Sequence, residues 1–243
     1  MSHGFGPGFR GSTAESGAQE PSNGKKERMT LEEKAKRIVR ALDQAFPEAR
    51  VTLNFRNPLE LLIATILSAQ CTDQRVNEVT PSLFKKYRKA EEYVRVPLGE
   101  LEEDIRPTGF FRNKARSLLG MARLVCAEHG GRIPDTMDAL VRLPGVARKT
   151  ANCVLGTWYG RNDGIVVDTH VGRLAVRLGL APRARDGKDA ERIEQDLMEL
   201  VPRDAWTWLS HAQIEHGRRI CTARGPQCAV CPLAPECPSA GRV

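Results

Sequence analysis

Four cysteines, Cys221, Cys228, Cys231 and Cys237, follow one another as C-x6-C-x2-C-x5-C within seventeen residues near the C-terminus. The same stretch holds Gly225, Pro226, Pro232, Pro235 and Pro238. Proline removes backbone donors and breaks regular elements, so neither a helix nor a strand can run through it. Something other than backbone hydrogen bonding must hold the segment. Four soft thiolates this close can enclose a tetrahedral metal ion or an iron–sulfur cluster, and metal binding supplies folding free energy. A disulfide framework fits poorly, because the chain is large and its N-terminus lacks a charged start followed by an apolar run. The other three cysteines, Cys71, Cys126 and Cys153, are scattered through apolar helical stretches, which suits a reducing compartment.

The chain has 243 residues, enough for a substantial core and for two lobes. No segment approaches the ~20 apolar residues of a membrane span. A formal net charge of +7 favours an anionic partner, most simply nucleic acid. Residues 1–29 begin with a Gly-, Ser- and Pro-rich run that cannot bury enough apolar surface to fold, and we expect a disordered tail there. From Thr30 onward the pattern is helical. Thr30 and Glu33 form a capping box, and Leu31, Ala35, Ile38, Val39, Leu42 and Phe46 recur at helical spacing. Pro58 opens the next helix, and further helices are expected over about 73–88, 90–96, 98–104, 112–129, 135–142, 148–160, 169–178, 187–201 and 203–219. Ile165-Val166-Val167 is the one strand-like run and is too short to found a sheet. The fold class read from this pattern is all-α.

The stretch 139–151 reads Ala-Leu-Val-Arg-Leu-Pro-Gly-Val-Ala-Arg-Lys-Thr-Ala. One short helix ends at Leu143, the chain turns at Pro144-Gly145-Val146, and another helix begins. Gly145 permits a turn of positive φ, and the new helix offers unpaired N–H groups beside Arg148 and Lys149. Such an end binds phosphate without reading sequence. The bland alternative is a helix corner that only stabilises a bundle. From Arg106 to Arg123 the chain carries Arg106, Arg112, Lys114, Arg116 and Arg123 and no acid, either a phosphate-facing surface or an ordinary solvated one.

Leu143-Pro-Gly-Val-Ala-Arg-Lys149-Thr-Ala-Asn152, followed by Val167-Asp168-Thr-His170-Val171-Gly-Arg173, resembles the helix–hairpin–helix glycosylase superfamily. The lysine, the cysteine tail and Leu67-Ser-Ala-Gln-Cys-Thr-Asp73 together are similar to the endonuclease III family. The resemblance spans Thr30 to Cys237. It implies a two-lobed fold: a six-helix barrel domain over 51–162 carrying the hairpin, and a discontinuous iron–sulfur domain from 30–50 and 163–243. It implies a bifunctional glycosylase that removes oxidised pyrimidines from duplex DNA and cleaves the abasic site. Lys149 would be the Schiff-base amine and Asp168 its carboxylate partner. Gln70 would fill the emptied base stack, and Phe110 would be a wedge on the opposing strand, though a Phe opening an amphipathic helix more often packs inward. Gly145, Val146, Ala147, Arg148 and Arg173 would contact DNA, and Cys221, Cys228, Cys231 and Cys237 would ligate a [4Fe–4S] cluster. Arg218, Arg219 and Arg224, around the cysteines, would carry cations to phosphate. Partners and setting follow: duplex DNA with damaged pyrimidines or abasic sites, a monomer, no membrane, and a cytoplasmic, nucleoid-associated location. The sequence departs from the family where Ala147 replaces the hairpin's second glycine and where Phe110-Phe111 stand.

Each residue also has a plainer reading. Lys149 could be a solvated helix-start lysine. Asp168 could cap the helix it precedes, a job compatible with catalysis because a carboxylate has two oxygens. Asp73 would cap its own helix, and His170 would pack or cap. Two other functions fit part of the pattern. A monofunctional adenine glycosylase of the same fold lacks this lysine and usually carries a further C-terminal domain. A non-catalytic module would use the hairpin only as a phosphate clamp.

Overall fold

A computed structural model describes residues 29–243; the tail expected over 1–29 lies, Met29 apart, outside them. Eleven α-helices account for the regular structure of the described residues, with short 3₁₀ turns and no strand. They are α1 (Leu31–Ala45), α2 (Pro58–Leu67), α3 (Asp73–Lys86), α4 (Ala90–Arg95), α5 (Leu98–Ile105), α6 (Phe111–His129), α7 (Met137–Val141), α8 (Arg148–Tyr159), α9 (Thr169–Leu178), α10 (Ala190–Leu200) and α11 (Trp206–Arg219). Ile165-Val166-Val167 is buried but joins no sheet; the Val166 N–H instead donates to Ser210 Oγ at 3.0 Å.

Helix starts follow the caps written in the sequence. Thr30 Oγ1 accepts from Glu33 N at 3.1 Å while the Glu33 carboxylate accepts from Thr30 N at 2.9 Å. Asn57 caps α2 ahead of Pro58, where the missing proline N–H costs nothing. α3 departs from expectation. Thr72, not Asp73, is its N-cap, with Oγ1 accepting from Arg75 N at 3.2 Å. Asp73 is thereby free to bond elsewhere.

Two apolar cores define two lobes. One gathers residues from Leu53 to Leu155, including Leu61, Leu62, Leu118, Met121 and Val154. It is built by α2 to α8, seven helices rather than six, because α7 is a separate single turn ahead of the hairpin. The other joins α1 (Ala35, Ile38, Leu42) to residues from Ile165 to Leu233. α2, apolar on all sides apart from Glu60 and Thr65, is the central helix of the first lobe, with Leu61 to Ala64 all fully buried. α11 packs on both α1 and α9, which fixes the cysteine segment that follows it.

Candidate active site and cysteine site

The hairpin joins α7 to α8. Gly145 has φ +81°, and a Cβ there would lie 2.7 Å from Ser117 Cβ on α6, so only glycine fits. Pro144 packs on Gly120, where an added Cβ would stand 3.1 Å from its ring. The turn is thus seated against α6. Among the described residues, Gly145 N–H and Ala147 N–H have no internal acceptor, and Ala147 gives α8 no side-chain cap. The first turn of α8 is left to an external acceptor, and that turn itself carries no acidic residue.

Two neighbours expected at DNA are engaged otherwise. The Val146 side chain is buried, and its N–H donates to Leu143 O at 3.0 Å, closing the turn. Arg148 turns toward α10: Nε donates to Glu194 Oε2 at 2.8 Å and Nη2 to Oε1 at 3.0 Å. Asn152 Nδ2 donates to the same Oε1 at 2.9 Å. Gly164 leaves room for this group, since a Cβ there would meet Glu194 Oε1 at 2.1 Å. The Arg148 charge is therefore matched by a buried carboxylate and joins the lobes.

Lys149, second residue of α8, faces a cavity of about 290 Å³ between the lobes. Thr65, Ser68, Cys153 and Val51 line it from the first lobe; Val166, Asp168, His211 and Ile214 line it from the second. Asp168 caps α9 with one oxygen: Oδ1 accepts from His170 N at 2.8 Å and Val171 N at 2.9 Å. Oδ2 takes no part in the cap. Lys149 and Asp168, far apart on separate elements, thus meet one hollow. Sequence reasoning missed its other walls. His211 sits on the inner face of α11, and burial foremost, with Arg218 adding to it, holds its imidazole below the ordinary value of 6.5. Burial raises the Cys153 thiol. Neither lies in a recognisable motif.

Asp73 closes the edge of the cavity. Its Oδ2 accepts from Thr52 Oγ1 at 2.5 Å and from Arg218 Nη2 at 2.9 Å. Arg218, expected to serve phosphate, instead bridges α11 to α3. Arg219 pairs with Glu215 at 2.7 Å.

Gln70 and Phe110 are the two described non-glycine residues with positive φ, at 52° and 47°. Gln70 is exposed in the turn after α2, and Phe110 is 62% exposed, not packed inward. The basic run around it is uneven: Arg106 pairs with Glu103, Arg116 bonds within α6 to Arg112 O and Asn113, and Lys114 is buried.

Arg173, also expected at DNA, points inward. Nε and Nη2 donate to Cys221 O at 3.0 and 2.8 Å, Nη2 donates to Gly217 O at 2.8 Å, and Nη1 reaches Thr169 O at 3.3 Å. It holds the start of the cysteine segment, where carbonyls at the end of α11 lack helical partners. His170 Nδ1 lies 3.0 Å from Arg173 Nη2, so His170 orients this arginine.

Cys221, Cys228, Cys231 and Cys237 line one small cavity, about 20 Å³, and none forms a disulfide. The side chains are not drawn into a coordinating arrangement: no group of three or more His, Cys, Asp or Glu among the described residues has metal-site geometry. Arg177 Nη1 donates to Cys221 Sγ at 3.2 Å, and His216 Nε2 lies 3.5 Å from Cys231 Sγ. Four free thiols with a cation beside them and no competing carboxylate in the lining fit an all-thiolate group.

Residues 63–203 match the HhH-GPD superfamily of base excision DNA repair proteins. Endonuclease III of Synechocystis sp. is 48% identical over 208 residues, covering 86% of this chain and 93% of the relative. A non-covalent endonuclease III–DNA complex matches with a TM-score of 0.81 at 42% identity, covering 87% of this chain and 97% of that one. A trapped endonuclease III–DNA covalent intermediate matches with the same score and identity, covering 87% and 98%. The chain belongs to the endonuclease III family and is a base excision repair DNA glycosylase and lyase.

Proposed function

We propose that this enzyme excises oxidised pyrimidines from duplex DNA and then cleaves the abasic site through an imine at Lys149. The observation that carries this reading is the shared cavity of Lys149 and Asp168 between the lobes. An ordinary lysine is protonated at neutral pH and must lose that proton before attacking. The amine attacks the sugar C1′, and the bond to the base breaks, its electron pair leaving with the base. As C1′ becomes positive, the Asp168 carboxylate stabilises it and accepts a proton. Ring opening yields the imine, an electron sink. Loss of the C2′ proton then expels the 3′ phosphate by β-elimination and breaks the strand. A hydroxyl in place of the amine could not form the imine.

Double-stranded DNA carrying a damaged pyrimidine or an abasic site would lie across the cleft. Gly145, Ala147 and the first turn of α8 would hold a phosphate through backbone N–H groups. Gln70 and Phe110, both exposed and both of positive φ, would fill the two strands once the base is flipped. The four cysteines would hold a [4Fe–4S] cluster, which when bound cross-links a segment with no regular element of its own. The domain boundaries that suit the two cores are 51–162, and 30–50 with 163–243. We read the protein as a monomer acting at the nucleoid; no helix among the described residues is long and apolar enough to cross a membrane.

Borohydride reduction with abasic-site duplex tests the reading. A covalent adduct should form with the native chain and be lost in Lys149→Ala. An adduct retained in that variant would remove Lys149 from the role, and no adduct with the native chain would favour a simple phosphate clamp.

A further inference from the structure

Lys114, which the chemistry above does not use, is a buried lysine, only 5% exposed. Its Nζ donates to Leu67 O at 2.7 Å and to Thr108 O at 2.8 Å. Leu67 ends α2, and Thr108 ends the 3₁₀ turn Arg106–Thr108. These carbonyls are 41 residues apart in the chain, and Lys114 is the side chain that joins them. Three residues beyond the first stands Gln70; two beyond the second stands Phe110, preceded by Gly109 at φ +69°. The Lys114 backbone N–H also donates to Phe110 O at 3.1 Å.

Burying an ammonium is costly, and a hydrophobe of similar length would fill the space more cheaply. No carboxylate offsets it here: both groups that accept from Nζ are backbone carbonyls, the first carrying the partial negative charge of a helix C-terminus. Burial accordingly disfavours the charged form. What the arrangement achieves is geometric. It fixes the two backbone segments from which the left-handed residues project, so neither can shift without the other.

We propose that Lys114 is a positioning residue that sets the span between Gln70 and Phe110, so that the two enter opposite strands of the duplex together. This rests on the reading of Gln70 and Phe110 as the residues that fill those strands. Each left-handed residue is strained on its own, and a tip free to relax would sample other conformations before meeting DNA. Lys114 removes that freedom beforehand.

The test is single-turnover excision of one thymine glycol placed opposite 2-aminopurine, whose fluorescence reports unstacking. Lys114→Met should slow excision about tenfold to a hundredfold and diminish the fluorescence rise. In a chain already carrying Gln70→Ala and Phe110→Ala, adding Lys114→Met should cost nothing further. Lys114→Gln, which keeps two N–H donors, should recover part of both signals, and it carries the test should the methionine variant fail to fold. Equal losses in both backgrounds would reduce Lys114 to a packing role, and no loss in the native background would also overturn the proposal. If Gln70→Ala with Phe110→Ala excises and unstacks as the native chain does, the strand-filling reading itself fails, and the proposal with it.

Discussion

Arg148 Nε and Nη2 close a two-pronged ion pair with Glu194 across the lobes, at 2.8 and 3.0 Å. The arginine side chain is 49% exposed and the glutamate 9%. The pair anchors the helix bearing Lys149 to α10 of the opposite lobe, so the width of the cavity depends on it. Arg148→Ala leaves a buried carboxylate with only Asn152 as donor. It should destabilise the fold by about 1–3 kcal/mol, discounted from a fully buried pair because the arginine is half in solvent. Urea unfolding measures this; a midpoint unchanged from the native chain would show that the pair is ornamental.

Asp168→Asn keeps the cap and removes the charge. Asparagine caps as well as aspartate does, so α9 should hold its stability within about 0.5 kcal/mol. Base excision should nevertheless fall steeply while DNA affinity persists. Asp168→Ala should lose excision and about 1 kcal/mol of stability besides. Single-turnover kinetics beside thermal melts separates the two jobs, and normal excision by the asparagine variant would exclude Asp168 from the chemistry.

Gly145→Ala places a Cβ against Ser117 at a φ of +81°. The expected cost is about 1–3 kcal/mol, together with weaker DNA binding that does not depend on sequence. Titration of lesion-bearing and undamaged duplexes should show parallel losses. A loss confined to damaged duplex would contradict the backbone-clamp assignment.

Gln70→Gly exchanges a strained left-handed residue for one that accepts φ 52° freely. The free protein should gain about 0.5–1 kcal/mol, while excision from paired duplex falls for want of a side chain to fill the stack. A variant both more stable and equally active would refute the role given to Gln70.

His211 gives the cavity an acid sensitivity. Burial lowers its folded-state affinity for protons below the ordinary value of 6.5. As pH falls through 6.5, the unfolded chain protonates this histidine before the folded one does, so stability drops on acidification. Above 6.5 both states are neutral there and the dependence vanishes. His211→Gln should flatten the decline between neutral pH and the depressed value, as read from unfolding midpoints across that range; an identical slope in the variant would assign the acid sensitivity elsewhere.

Some of this was legible in residue order alone. Thr30 with Glu33, Pro58, and Asp168 before Thr169 set helix starts because what they need lies within four residues, whereas the Asn57 cap came only with the structure. The hairpin glycine was legible for a similar reason: a φ of +81° is a local demand. Gln70 and Phe110 came from resemblance, and their backbone strain came only with the fold. The basic run was misleading. Sequence places Lys114 among arginines at a surface, whereas the fold turns it inward to the Leu67 carbonyl, 47 residues away.

Local chemistry, then, was written in the chain: the helices, their caps, the tight turn and four thiols within one short loop. Tertiary structure decided which acceptors the basic side chains meet. Arg148 and Arg173, expected at DNA from the resemblance, and Arg218, expected to carry a cation to phosphate, bond in the free protein to Glu194, to the Cys221 and Gly217 carbonyls, and to Asp73. A positive charge takes the acceptor that packing brings within reach, and that acceptor is set by contacts 44 to 145 residues distant.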